Sequence, residues 1–95
     1  MKNKFTLIAG PCAIEDDYIP FVIAKEVKKI CDKLDINYIF KGSYKKANRS
    51  KLDSFTGIGD EVALNILSQI GKDMRVETIT DVHESYEPKL VAKYV

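Results

Sequence analysis

Lys41, Lys46 and Arg49 place three cations between positions 41 and 49, interleaved with the hydrogen-bonding groups Ser43, Asn48 and Ser50. Arginine offers a planar fork and lysine a compact point charge, a combination that suits phosphate and carboxylate groups. The segment therefore points to a small, multiply anionic substrate. Cys12, just after Gly10-Pro11, is a candidate soft ligand for a divalent metal, with His83 as a second candidate ligand or a base. Asp81 and Glu84 flank that histidine. Plainer roles compete: loop cations keep a surface solvated, a cysteine beside Gly-Pro packs as a small hydrophobe, His83 caps a helix or sits in a core, and Asp81 serves as a helix N-cap. Cys31 lies on an apolar helical stripe and reads as core.

What favours chemistry is where the elements put these residues. Phe5-Thr6-Leu7-Ile8-Ala9 is short, apolar and stopped by Gly10-Pro11, which predicts a buried strand and then a turn. From Pro20 to Leu34, Phe21, Ile23, Ala24, Val27, Ile30, Cys31 and Leu34 recur at helical spacing, predicting an amphipathic helix whose start is favoured by Pro20 and the acidic Asp16-Asp17. Ile36-Asn37-Tyr38-Ile39-Phe40 is a second strand. Lys41 to Gly59 lacks either period and reads as a long loop, of the kind usually functional or disordered. Within it, Phe55-Thr56-Gly57-Ile58-Gly59 lacks the spacing of a phosphate cradle and reads as a flexible turn. Asp60 is expected to cap a second helix, with Val62, Ala63, Ile66, Leu67 and Ile70 inward and Gly71 as its stop. Val76 to Thr80 is a third strand, residues 81–84 its exit loop, and a third helix runs from near Tyr86-Glu87-Pro88 towards Val95.

The order βαβαβα predicts an α/β fold with a parallel sheet, because parallel neighbours need a helical crossover. Ligands in such folds sit at the carboxyl ends of the strands, where the three loops carrying the polar residues converge. The 95 residues, 45% hydrophobic and 31% charged, fit one globular domain, residues 1–95. A net charge of +1 leaves no excess to neutralise a run of phosphates, which argues against nucleic acid. The longest apolar runs fall far short of the ~20 residues that cross a bilayer, and no secretory leader is legible, so the expectation is a cytoplasmic protein without a membrane partner. Two cysteines do not make a disulfide framework. The chain stops while still helical, as though cut short.

Three segments carry a family likeness: Ile8-Ala9-Gly10-Pro11-Cys12-Ala13-Ile14-Glu15, Phe40-Lys41-Gly42-Ser43-Tyr44-Lys45-Lys46-Ala47-Asn48-Arg49-Ser50, and Ile79-Thr80-Asp81-Val82-His83-Glu84. Together they resemble the 3-deoxy-D-manno-octulosonate 8-phosphate synthases, from Phe5 to the last residue. Lys-Ala-Asn-Arg-Ser is specific to them, whereas Gly-Pro-Cys is shared with the 3-deoxy-heptulosonate 7-phosphate synthases. The resemblance implies the first three βα units of a (β/α)8 barrel of ~250 residues. It implies condensation of phosphoenolpyruvate with D-arabinose 5-phosphate, releasing phosphate, for lipopolysaccharide biosynthesis. The alternatives are a heptulosonate phosphate synthase, whose Lys-Pro-Arg-Thr loop is replaced here by Lys41-Gly42-Ser43-Tyr44, and a non-catalytic anion-binding module.

By resemblance, Lys41 and Lys46 lie at the phosphoenolpyruvate site, and Asn48, Arg49 and Ser50 hold the sugar phosphate, with Ser43 among the binding residues. Lys46, Asp81 and His83 form the catalytic set. Cys12 stands where the metal-dependent branch has its metal-binding cysteine, which implies a divalent metal whose other ligands, a His, a Glu and an Asp, follow Val95. A homotetramer is implied as well. Lys45 replaces an aspartate common in relatives, and Thr56-Gly57-Ile58-Gly59 replaces Arg-Gly-Pro-Gly.

Overall fold

A computed structural model describes residues 5–44, 59–82 and 84–95. The elements are β1 (Thr6–Ala9), α1 (Ile19–Leu34), β2 (Asn37–Lys41), α2 (Asp60–Met74), β3 (Glu77–Ile79) and α3 (Glu87–Val91). The predicted βαβαβα order stands. The strands form one parallel sheet in the order β1-β2-β3, with Leu7 beside Tyr38, Ala9 beside Phe40, and Phe40 beside Thr78. Two successive crossovers of the same hand put α1 and α2 on one face of the sheet.

Side chains alternate across a strand, so β2 has two unlike faces. Tyr38 and Phe40 point to the helices and are buried, their rings 6.5 Å apart and edge to face. They join Ala24 and Cys31 of α1 with Ala63, Leu64, Ile66, Leu67 and Ile70 of α2 in one core. Cys31 is core, as its place on the stripe predicts. Among the described residues no helix lies over the opposite face, with Ile8, Ile39 and Ile79, and Ile8 is 50% exposed. The expectation that β1 is buried is therefore corrected: Leu7 and Ile8 are exposed, because β1 lies at a sheet edge and, among the described residues, no helix covers one of its faces.

Helix ends differ from the sequence expectation in instructive ways. The α1 N-terminus is held by Asp16, whose Oδ1 accepts the N–H groups of Tyr18 (2.8 Å) and Ile19 (2.7 Å), two donors the helix cannot satisfy itself. Asp60 does not cap α2; it is the first helical residue, and Gly59 is the N-cap without a side-chain bond. Nor does Gly71 stop that helix, which continues to Met74 and ends at Arg75 in the left-handed region, φ 55°. Gly71 permits close packing instead: a Cβ there would sit 3.2 Å from Thr78 Cγ2 and 3.3 Å from the Val76 carbonyl oxygen. Val62 is exposed and Leu64 takes its inward place, while Ile30 and Leu34 of α1 also face solvent. A sheet this narrow covers only part of each apolar stripe. The third helix ends at Val91, well before Val95. Tyr94 then donates to Glu61 Oε1 at 3.1 Å, a bond that raises the phenol above its ordinary pKa. Among the described residues, no helix is long and apolar enough to cross a membrane.

Candidate functional site at the strand exits

Parallel strands bring all three exits to one end of the sheet. Gly10 is the close approach that lets them meet, since a Cβ at that position would overlap the Lys41 carbonyl oxygen. Beyond it the β1 exit runs along the β2 exit. Ala13 and Ser43 form a parallel bridge, Ile14 N–H donates to the Ser43 carbonyl (2.9 Å), and Ser43 N–H donates to the Cys12 carbonyl (3.4 Å). On the other side, Gly42 N–H donates to the Ile79 carbonyl (3.4 Å). The backbones of Cys12, Ser43 and the β3 exit are thus stitched side by side.

Side chains tighten the same seam. Ser43 Oγ donates to Asp81 Oδ1 at 2.6 Å, within the range of a charge-assisted bond, and Thr80 Oγ1 donates to the Gly42 carbonyl at 2.8 Å. Asp81 is accordingly not the N-cap of α3, a place taken by Tyr86 without a side-chain bond. Tyr38 adds a tie from the core, its hydroxyl donating to the Ala9 carbonyl at 3.0 Å. Burial, with the Cys31 thiol nearby, pushes that phenol up to about 12.

Lys41 is the last residue of β2 rather than the first of a loop, and it pairs in register with Ile79. Alternation places it on the uncovered face with Ile39, where it is exposed. An ammonium group is therefore available at the exit end without a desolvation penalty. Cys12 is exposed too, and lines a shallow cleft of about 210 Å³ with Pro11, Glu15, Asp16 and Pro20. Among the described residues no group of three or more His, Cys, Asp and Glu side chains is arranged for a metal. Cys12 can thus supply one ligand, a thiolate, and the described residues around it do not complete a site.

Of the sequence-predicted residues, the structure brings together Cys12, Lys41, Ser43 and Asp81. Lys46, Asn48, Arg49, Ser50 and His83 lie outside the described residues. One feature of the site was missed in the sequence. Tyr44 and Glu87, each 1% exposed, are hydrogen-bonded to one another, the phenol donating to Glu87 Oε1. A Glu in the first turn of a helix ordinarily faces water, so no local signal marks this one as buried.

The whole chain, residues 1–95, matches the family described as the DAHP synthetase I family. The chain belongs to the DAHP synthetase I family. Within it, the chain is similar to proteins named 2-dehydro-3-deoxyphosphooctonate aldolase. It is 47% identical to that of Fusobacterium nucleatum over 97% of this chain and 33% of the relative, and 44% identical to that of a Cyanothece species over 98% and 34%. The aldolase of Acidithiobacillus ferrooxidans is 41% identical over 100% of this chain and 34% of its own length. The chain thus spans about a third of the length of the curated relatives it matches. The resemblance seen in the Gly-Pro-Cys, Lys-Ala-Asn-Arg-Ser and Asp-Val-His segments agrees with these relatives.

Proposed function

We propose that this chain forms the first three βα units of a (β/α)8 barrel enzyme that condenses phosphoenolpyruvate with D-arabinose 5-phosphate, giving 3-deoxy-D-manno-octulosonate 8-phosphate and inorganic phosphate. The observation that carries the reading is the convergence of Cys12, Lys41, Ser43 and Asp81 at the exits of three adjacent parallel strands, in relatives' company named for that product. Both substrates are anions that repel one another. Lys41 at the end of β2, with Lys46 and Arg49 of the sequence that follows it, would offset that repulsion and hold the reactants in register, which is catalysis by proximity and preorganised charge. In the reaction C3 of phosphoenolpyruvate bonds to the aldehyde carbon, water adds at C2, and the C2–phosphate link is released. Lys46, Asp81 and His83 serve the reacting end, Asp81 with its carboxylate already oriented by Ser43. Asn48, Arg49 and Ser50 hold the sugar phosphate.

Cys12 would hold a divalent metal together with ligands from the rest of the barrel, and such a metal supplies an oriented or acidified water, or a positioned aldehyde. The remaining two thirds of the barrel would also cover the bare face of Ile8, Ile39 and Ile79, and the enzyme would assemble as a homotetramer in the cytoplasm. A second reading takes its support from the family's description: a heptulosonate phosphate synthase using erythrose 4-phosphate.

The test joins this chain to the remaining two thirds of the Fusobacterium relative and measures phosphate release from phosphoenolpyruvate. Turnover with arabinose 5-phosphate and none from the 95 residues alone is expected; turnover with erythrose 4-phosphate alone would select the second reading. Arg49→Ala should weaken arabinose 5-phosphate binding more than phosphoenolpyruvate binding, and equal losses would contradict its placement. Activity that survives both a chelator and Cys12→Asn would remove the metal.

A further inference from the structure

Glu87 is the only buried charged residue among those described, and nothing in the reaction above uses it. A carboxylate is costly to bury unless its oxygens are hydrogen-bonded. Both are: Oε1 accepts from the Tyr44 hydroxyl, and Oε2 accepts from the Glu84 backbone N–H at 2.6 Å. Glu84 N–H belongs to the loop after β3, Tyr44 to the chain leaving β2, and Glu87 itself to the first turn of α3. One carboxylate therefore ties three segments.

Its place along the chain is what matters. Gly42, Ser43 and Tyr44 each meet a side chain from the β3 exit or α3: Thr80, Asp81 and Glu87 in turn. The Tyr44–Glu87 bond closes this seam at its deepest, driest end, where hydrogen bonds are strongest and least replaceable by water. In the loop after β3 the bonds fall at Asp81 and at Glu84, two residues before position 83 and one after it.

We infer that Glu87, acting through Tyr44 and the Glu84 N–H, is a positioning residue that holds the loop after β3, with Asp81, in register with the exit of β2. The inference rests on reading the strand exits as the catalytic end. It differs from a stability role alone in predicting loss of alignment at Ser43 and Asp81.

Amide hydrogen exchange on the chain itself tests the tie directly. Glu87→Ala and the milder Tyr44→Phe should each speed exchange at Glu84, and also at Gly42 and Ser43, by about tenfold. Unchanged exchange at Gly42 and Ser43 would overturn the inference, even if the melting temperature falls. In the joined enzyme, Glu87→Ala should lower kcat about tenfold or more with KM for phosphoenolpyruvate within about twofold. Glu87→Gln, which keeps an acceptor, should recover most of that loss. Parent kcat in Glu87→Ala, or equal losses in the Gln and Ala variants, would overturn it. A joined enzyme silent before any substitution would count against the proposed reaction, and the exchange data would still decide the tie.

Discussion

The helix-side core and the strand-exit seam are built by opposite means. In the core, Phe40, Leu64, Leu67 and Ile70 exclude water through apolar area, an interaction without direction that is satisfied by many shapes. At the seam, Gly10, Ser43, Asp81, Tyr44 and Glu87 meet through directional bonds and one backbone contact that admits no side chain. The core decides whether the sheet forms. The seam decides where the groups at its carboxyl end stand relative to one another, and a small displacement there costs alignment more than stability.

Substitutions should separate the two regions. Phe40→Ala, at a fully buried position, is expected to cost about 3–5 kcal/mol and to shift the urea midpoint more than any change at the seam; a loss under 1 kcal/mol would mean the core tolerates a cavity there. Gly10→Ala forces a methyl group into the Lys41 carbonyl, and overpacking of that kind costs about 3 kcal/mol at the upper end of its usual range. It should also part the β1 and β2 exits, read as faster exchange at Ser43 and Ile14. Ser43→Ala removes the donor to Asp81 and should cost about 2 kcal/mol with the core's amide protection intact. Protection lost throughout the core would erase the distinction between the regions.

Two smaller effects sharpen it. The Tyr38 phenol is pushed up to about 12 in the fold against an ordinary 10.0, so the unfolded chain ionises first. Stability is intact below pH 10 and falls as pH rises from 10 towards 12, because in that window only the unfolded state has released the proton. Tyr38→Phe should flatten this alkaline fall; an unchanged slope would assign it to another group. Lys28→Ala breaks an exposed pair with Asp32 at 3.0 Å, and about 0.3–0.5 kcal/mol or less is expected. A larger loss would show that the solvent face of α1 contributes more than either region's logic allows.

The helical stripes of α1 and α2 and the order of strands and helices were legible in residue spacing, since period and local punctuation are properties of a few neighbouring residues. The exposure of β1 was not legible. Leu7 and Ile8 look the same in a covered strand and in an edge strand, and only the number of neighbours distinguishes them. Gly71 was misread as a stop because a glycine that ends a helix and a glycine that lets a strand approach share one sequence signal. At the site, Cys12, Lys41 and Asp81 were legible as chemistry-bearing types at or just after strand ends, whereas Tyr44 and Glu87 were not, because burial of a carboxylate depends on a partner 43 positions away.

By itself, then, the sequence determined the α/β class, the parallel crossovers and the position of Cys12, Lys41 and Asp81 at or just after strand ends. Tertiary structure alone decided that Gly10 seats against Lys41, that Ser43 turns Asp81 away from capping a helix, and that Tyr44 reaches Glu87. The reason is register: when β1, β2 and β3 align residue by residue, they set which exits touch, and that alignment joins positions about 30 to 40 residues apart that no local pattern connects.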